Sequence, residues 1–331
     1  MAAGKDVYCG GIFLSARWFV LSQVAKEGLH LVVLPTQEAA EYCSADLYNL
    51  VEGDRIFFLP YSGKGIERSN YKSSLCVQRT AALGKIAENK GELTFIVTWP
   101  AALEEKIPDN KTIRQSIWTL RKGDEISFDE LLMRLYDHGF EKVDFVSAPG
   151  QFAVRGSLID IFSFSLNNPY RISFWGNEIE KIHVFDSNTQ LSIEDKDTAE
   201  IISNIVSDEE KGTVSIAKVL PKKTRVWLDS SDMYKEMEFF QELTSYQRVF
   251  LEPPLGLADK EDIIRFNITP QPTFNTNFEL LTEDIRSKIE SGYRVLIYGE
   301  KGSQLERIRS ILFQNGGIQP EFVQGKNIHN G

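Results

Sequence analysis

The sequence predicts an α/β protein, a parallel-sheet scaffold of the kind that carries a phosphate loop, with an antiparallel α+β domain inserted into it. Three observations lead there. Apolar strand-like runs alternate with helical stretches in the first and last thirds, the order that gives a parallel sheet covered on both faces. Between them, PGQFAVRGSLIDIFSFSLNNPYRISFWGNEIEKIHVF, residues 149–185, reads as short strands joined by turns, an antiparallel meander. Gly10-Gly11 stands just before the first helix, where a phosphate loop belongs, but the residues after it break the loop's pattern. A chain of 331 residues suits two or three domains. Boundaries are placed at 1–116, 117–205 and 206–331, and the order of strands and helices allows the first and last segments to share one sheet.

In the first segment, residues 16–27 set Trp18, Phe19, Leu21, Val24 and Ala25 at helical spacing, and Gly28 follows as a C-cap. Leu31-Val32-Val33-Leu34 is a buried strand closed by Pro35-Thr36. A helix over 37–50, a strand over 55–59, a helix around 79–89 and a strand from Thr94 to Trp99 follow. The phosphate-loop pattern is Gly, four residues, then Gly-Lys-Ser/Thr. Laid on Gly11, it puts Ala16 at the second glycine, Arg17 at the lysine and Trp18 at the hydroxyl. A Cβ at position 16 hinders the turn that wraps a phosphate, and an indole does not ligate Mg²⁺. The loop is therefore expected to be degenerate and to hold no nucleotide. Gly63-Lys64-Gly65 is read as an exposed loop in preference to a phosphate-binding turn.

The middle segment opens after the breaker cluster Ile107-Pro108-Asp109-Asn110. Ser127 and Glu130 form a capping-box pattern for a helix over 128–138, with Leu131, Leu132 and Leu135 inward and Gly139 closing it. A strand from Lys142 to Val146 leads into the meander. There, period 2 puts Tyr170, Ile172 and Phe174 on one face and Arg171, Ser173 and Trp175 on the other, which Arg155 joins. Arginine and tryptophan are residues that anchor protein interfaces. Pattern alone leaves open whether these arginines only form surface ion pairs. Residues 117–205 hold 8 Lys/Arg against 15 Asp/Glu, so the arginines stand on an acidic background that suits a localised contact. Asp160, Glu178, Glu180 and Asp186 are carboxylates from which a glycosidase-like acid pair could be drawn. No spacing singles out two of them, and Asp160 is expected to cap or pair locally.

In the last segment, Arg225 to Leu228 is a strand ending at Asp229-Ser230, with a helix over 231–243 and a strand Arg248 to Leu251 ended by Pro253-Pro254. A helix from Phe278 to Ser291, a buried strand from Arg294 to Tyr298 and a helix from Ser303 to Asn315 follow. Gly299-Glu300-Lys301-Gly302 is taken as a plain strand-to-helix link.

A net charge of −10 disfavours a chain whose main task is gripping nucleic acid, since a duplex-binding surface needs clustered Lys and Arg. Cys9, Cys43 and Cys76 are odd in number and far apart, which fits neither a disulfide framework nor a zinc site. His30, His138, His183 and His329 are dispersed without ligand spacing and are expected to be surface or packing residues. No metal site is expected. With no signal-peptide pattern and no apolar run of spanning length, the expected location is cytoplasmic.

The string PGQFAVRG, IDIF and PYRISFWGNEIEKIHVFD resembles the module shared by the repair helicase UvrB and the transcription-repair coupling factors, and is closer to the latter. The resemblance implies a UvrB-type scaffold and a docking sheet for UvrA, with Arg155, Arg171 and Trp175 as the contact residues. UvrB proteins tend to carry an acidic residue at the position of Ser173, and coupling factors usually have Phe at that of Trp175. The short PYSGKGIERSNYKSSL stands where UvrB has a long tyrosine-rich hairpin that clamps DNA. The resemblance further implies that this chain is non-catalytic and needs no cofactor. RNA polymerase, double-stranded DNA, ATP and Mg²⁺ would engage later domains, beyond residue 331. The alternative is an active UvrB-like enzyme that binds DNA or hydrolyses nucleotide. Charge reversal at Arg171 is expected to weaken partner binding roughly 30-fold or more and, at an exposed strand position, to shift stability by only about 0.5 kcal/mol.

Overall fold

The computed structural model describes residues 6–12, 14–51, 54–62, 69–164, 168–205, 214–252, 263–325 and 328. Gly63-Lys64-Gly65, Pro253-Pro254 and His329 lie outside them.

The first segment builds β1 (Val7–Gly10), α1 (Ala16–Val24), β2 (Leu29–Val33), α2 (Gln37–Leu50), β3 (Ile56–Phe58), α3 (Ser69–Glu88), β4 (Thr94–Thr98), α4 (Pro100–Glu104) and α5 (Asn110–Gln115). Helix α1 stops at Val24, so Gly28 is not its cap; at φ +79° it turns the chain into β2. Helix α3 starts ten residues before the predicted 79. Its inward stripe of Leu75, Cys76, Arg79, Leu83 and Ile86 keeps helical spacing, with an arginine in place of the expected apolar residue.

The middle segment contributes β5 (Ile117–Arg121), α6 (Phe128–Asp137), β6 (Glu141–Lys142), β7 (Gln151–Arg155), β8 (Leu158–Ile161), β9 (Tyr170–Trp175), β10 (Glu178–Phe185), β11 (Ser192–Lys196) and β12 (Thr198–Ile202). The last contributes β13 (Arg225–Ser230), α7 (Ser231–Tyr234), α8 (Glu238–Glu242), β14 (Gln247–Glu252), β15 (Ile263–Arg265), α9 (Phe278–Glu290), β16 (Leu296–Gly299), α10 (Gly302–Gly316) and β17 (Glu321–Gln324).

The main sheet has the order β15-β1-β14-β13-β2-β4-β3, and its pairings are all parallel. Strand β13, from after the insertion, lies against β2 from before it, and β1 lies between β14 and β15. The two outer segments therefore interleave in one sheet. Alternation along its central strands feeds two cores. Leu31, Val33, Ile96, Val226, Leu228 and Phe250 bury on one face; Val32, Phe95, Val97, Trp227, Val249 and Leu251 bury on the other. Strands buried on both sides explain why β2 and β4 read as continuous apolar runs.

The inserted segment leaves and rejoins this scaffold through β5 and β12, paired antiparallel from Ile117 opposite Ile202 to Arg121 opposite Thr198. Its six-stranded sheet has the order β11-β10-β9-β8-β7-β6, antiparallel except for β6 with β7. Helix α6 packs Leu131 and Leu135 onto Phe152, Ile159, Ile172 and Ile182 of this sheet. Ser127 makes no side-chain cap on α6, so the capping-box pattern is not realised.

Beyond residue 278 the chain departs from the expected buried strand. Strand β16 pairs with β17 in a separate two-stranded parallel sheet and is exposed or half-buried along its length. Helix α10 packs on this strand, with Leu305 against Gly299, and α9 packs on α10. Helix α10 ends at Gly316, one residue past the expected Asn315, and is capped by Gly317 at φ +65°.

Candidate docking surface

Two tight turns fix the register of the candidate site. Gly156-Ser157 joins β7 to β8 and Gly176-Asn177 joins β9 to β10, with φ +60° and +63° at the glycines. Positive φ at that position is what lets a two-residue hairpin match strand twist, and glycine adopts it without steric cost. Arg155 then pairs with Leu158, Asp160 with Arg171, Leu158 with Ser173, and Trp175 with Glu178. Tyr170, Ile172 and Phe174 are buried against α6, while Arg171, Ser173 and Trp175 point away from it.

On that outer face both arginines converge on one carboxylate. Asp160 is 1% exposed. Its Oδ1 accepts from Arg171 Nε at 2.7 Å and its Oδ2 from Arg171 Nη2 at 2.9 Å, a bidentate pair. Arg155 Nη2 donates to the same Oδ2. These hydrogen bonds raise the Arg171 pKa above the ordinary guanidinium value. Arg171 also donates to Gln190 Oε1 at 3.2 Å and lies over the Phe185 ring, 4.2 Å from its centroid. Arg155 lies 4.8 Å over the ring of Phe145. Asp160 thus pairs locally, and Glu178 and Glu180, both exposed, do not share a site with it. Among the described residues no group of three or more His, Cys, Asp or Glu is arranged to hold a metal.

Trp175 stands near the Gly156 turn and is 79% exposed, the largest exposure among the exposed large apolar side chains of the described residues; Phe145 is 61% exposed. Phe145 and Gln190 were not singled out from the sequence. Phe145 falls within the strand expected from Lys142 to Val146, but β6 ends at Lys142, so Phe145 lies in the connection to β7. Gln190 is placed by a turn in which Asp186 Oδ1 accepts from the backbone N–H groups of Asn188 and Thr189 and from Thr189 Oγ1. Those bonds, led by the one from Thr189 N–H, hold the Asp186 carboxyl below its usual range. The signal was present in Asp186-Ser187-Asn188-Thr189, an Asx-type turn sequence.

The candidate phosphate loop lies far from this face in sequence and is built differently. Gly11 has φ +75°, and a Cβ there would sit 2.2 Å from the Phe266 carbonyl oxygen. Phe266 N–H in turn donates to Gly10 O at 2.8 Å, so the segment after β15 covers the turn. Ala16 opens α1, and Trp18 is buried among Leu21, Leu34 and Cys43. Arg17 makes ion pairs with Asp229 and Glu252, at the ends of β13 and β14. Beside it a cleft of about 180 Å³ is lined by Ser15, Arg17, Trp18, Asp46 and Asp229. Burial pushes the Asp229 carboxyl up, and Arg17 opposes the shift.

Residues 118–205, the segment that carries Arg155, Arg171 and Trp175, match the family model described as the UvrB interaction domain. The matched segment is the inserted antiparallel domain, which is similar to that family and is set into an α/β scaffold. The chain is also similar to curated transcription-repair-coupling factors. With that of Bacillus subtilis it shares 28% identity over 276 residues, which is 77% of this chain and 23% of the relative. With that of Mycobacterium tuberculosis it shares 32% over 195 residues, 57% of this chain and 16% of the relative. With that of Borreliella burgdorferi it shares 28% over 214 residues, 64% and 17%. The chain spans under a quarter of the length of these relatives. Among the described residues no helix is long and apolar enough to cross a membrane.

Proposed function

We propose that this chain is the UvrA-docking module of a transcription-repair coupling factor, recruiting nucleotide excision repair to lesions that stall RNA polymerase. The observation that carries the reading is the outer face of the inserted sheet. Two arginines gathered on one buried carboxylate, with an exposed tryptophan at the same sheet end, lie inside the segment matched by the UvrB interaction domain. Residues 117–205 form the docking domain, and residues 1–116 and 206–331 form its scaffold.

The scaffold itself performs no chemistry in this reading. The residues at the phosphate-loop position do not suit a nucleotide. Arg17 is occupied by two carboxylates, the second glycine is Ala16, the hydroxyl position is the buried Trp18, and Asp46 and Asp229 make the adjoining cleft acidic. A triphosphate entering it would meet like charge. No catalytic step is assigned to this chain, and no cofactor or metal. In the whole protein, contacts with RNA polymerase and double-stranded DNA, and an ATP- and Mg²⁺-dependent motor, belong to other segments.

Calorimetric titration of this chain against UvrA of the same organism tests the reading. Binding by the wild type that weakens about tenfold in a folded Trp175→Ala variant is the expected result. No binding by the wild type overturns it.

A further inference from the structure

We infer that Asp160 is the positioning residue of the docking surface, and that it presents the two arginines as one preorganised cationic unit to an acidic, partly apolar protein surface. The inference rests on the UvrA-docking reading above. Asp160 touches no partner itself: it is 1% exposed, beneath the guanidiniums it holds.

The geometry gives it that role. A free arginine side chain samples many rotamers, and ordering it on binding costs part of the affinity it brings. Here that cost is met in the unbound chain. Arg171 is fixed by a bidentate bond to Asp160, by Gln190 and by the Phe185 ring below it. Arg155 is fixed by the same Oδ2 and by the Phe145 ring. Three charged groups meet, two positive and one negative, so the cluster keeps one net positive charge. It does so within a segment that is acidic by seven charges. Asp160 consumes the inward-facing donors of Arg171 and leaves Arg155, 38% exposed at its side chain, with donors directed to solvent. The complement of such a surface is one carboxylate-bearing patch flanked by apolar ground for Phe145 and Trp175, the two exposed aromatic side chains of this face.

The test compares wild type, Asp160→Asn and Asp160→Glu, by titration against UvrA and by NMR of the arginine Nε–H groups in the free chain. Asparagine removes the charge that gathers the guanidiniums while keeping the side-chain shape. Glutamate keeps the charge and displaces it by one methylene, so the pair of variants separates charge from placement even if one of them folds poorly. The expected result is binding weakened about tenfold or more in the folded variants. It comes with an Arg171 Nε–H signal that is dispersed and slowly exchanging in the wild type and averaged in the variants, a readout that a general loss of stability does not produce. Variants that are folded and bind within about twofold of a binding wild type overturn the positioning role while the docking reading stands. A wild type that does not bind UvrA overturns both.

Discussion

Trp227 donates its indole N–H to His30 Nδ1 at 3.0 Å, across the boundary between β13 and β2 in the middle of the main sheet. The other ring nitrogen, Nε2, lies 3.1 Å from the Glu27 carbonyl, which only accepts, so the imidazole is neutral with its proton on Nε2. Phe95 stacks on the ring at 5.3 Å. This contact joins the segment before the insertion to the segment after it through two buried polar groups that satisfy each other.

A pH dependence follows from that pair. Burial lowers the His30 pKa to about 4, with the Glu27 carbonyl opposing and the Arg225 charge adding to the shift. In the unfolded chain it is about 6.5. Between those values the unfolded state binds more protons, so stability falls as pH drops from about 6.5 to about 4, by about 3 kcal/mol in total from this group. Denaturant unfolding of wild type and His30→Gln over that range checks it. Glutamine keeps an acceptor for Trp227, and the variant is expected to lose this part of the slope.

At the docking face, Trp175→Ala is expected to weaken UvrA binding about tenfold while changing stability by no more than about 0.5 kcal/mol. Its side chain is 79% exposed and closes no core. Arg171→Glu is a poorer probe than its strand position suggested. It sets a second carboxylate against the buried Asp160, and the expected cost is about 3 kcal/mol of stability in place of about 0.5. Titration paired with thermal unfolding of both variants separates the two effects.

The parts of the site that were legible in the sequence are those governed by period 2 and by turn residues. Gly156 and Gly176 set the hairpins, and alternation then puts Arg171, Ser173 and Trp175 on one face. What joins Arg155 to Arg171 was not legible, because Asp160 sits in an apolar run and its side is decided by pairing with β9. Gln190 reaches Arg171 from a turn, which has no period to read, and Phe145 reaches Arg155 from a stretch expected to be strand that leaves the ladder after Lys142. In the fold, the polar Ser192–Lys196 is β11, an edge strand exposed at all five positions, so no apolar face marks it. Conversely, Ser127 carries a cap pattern that the backbone does not use, since its φ of −59° and ψ of 131° come with no side-chain cap bond.

Arg79 makes a separate prediction about the scaffold. Its side chain is 2% exposed, donates to the Pro60 carbonyl at 2.6 Å and pairs with Glu105 at 3.3 Å. Burial lowers its pKa, and Glu105 opposes the shift. Arg79→Met leaves Glu105, also buried, without its counter-charge, and is expected to cost about 3 kcal/mol or more. Glu105→Gln added to it keeps the acceptor for Ser62 N–H while removing the stranded charge. The double variant should therefore unfold at higher denaturant concentration than the single one.

The last prediction concerns the phosphate-loop position, where nucleotide affinity and the ion pairs of Arg17 are alternatives. A phosphate there has to draw Arg17 away from Asp229 and Glu252, and both carboxylates would remain beside it. Replacing Arg17 by lysine changes neither carboxylate, leaves the Ala16 Cβ in place, and leaves Trp18 buried. Titration with MgATP is thus expected to give a Kd weaker than about 1 mM for wild type and Arg17→Lys alike. Arg17→Ala, by contrast, strands Asp229, whose side chain is 16% exposed, and is expected to lower stability by about 1–3 kcal/mol. Micromolar ATP binding by the wild type would show that the loop opens, and would return the chain to the class of nucleotide-binding enzymes.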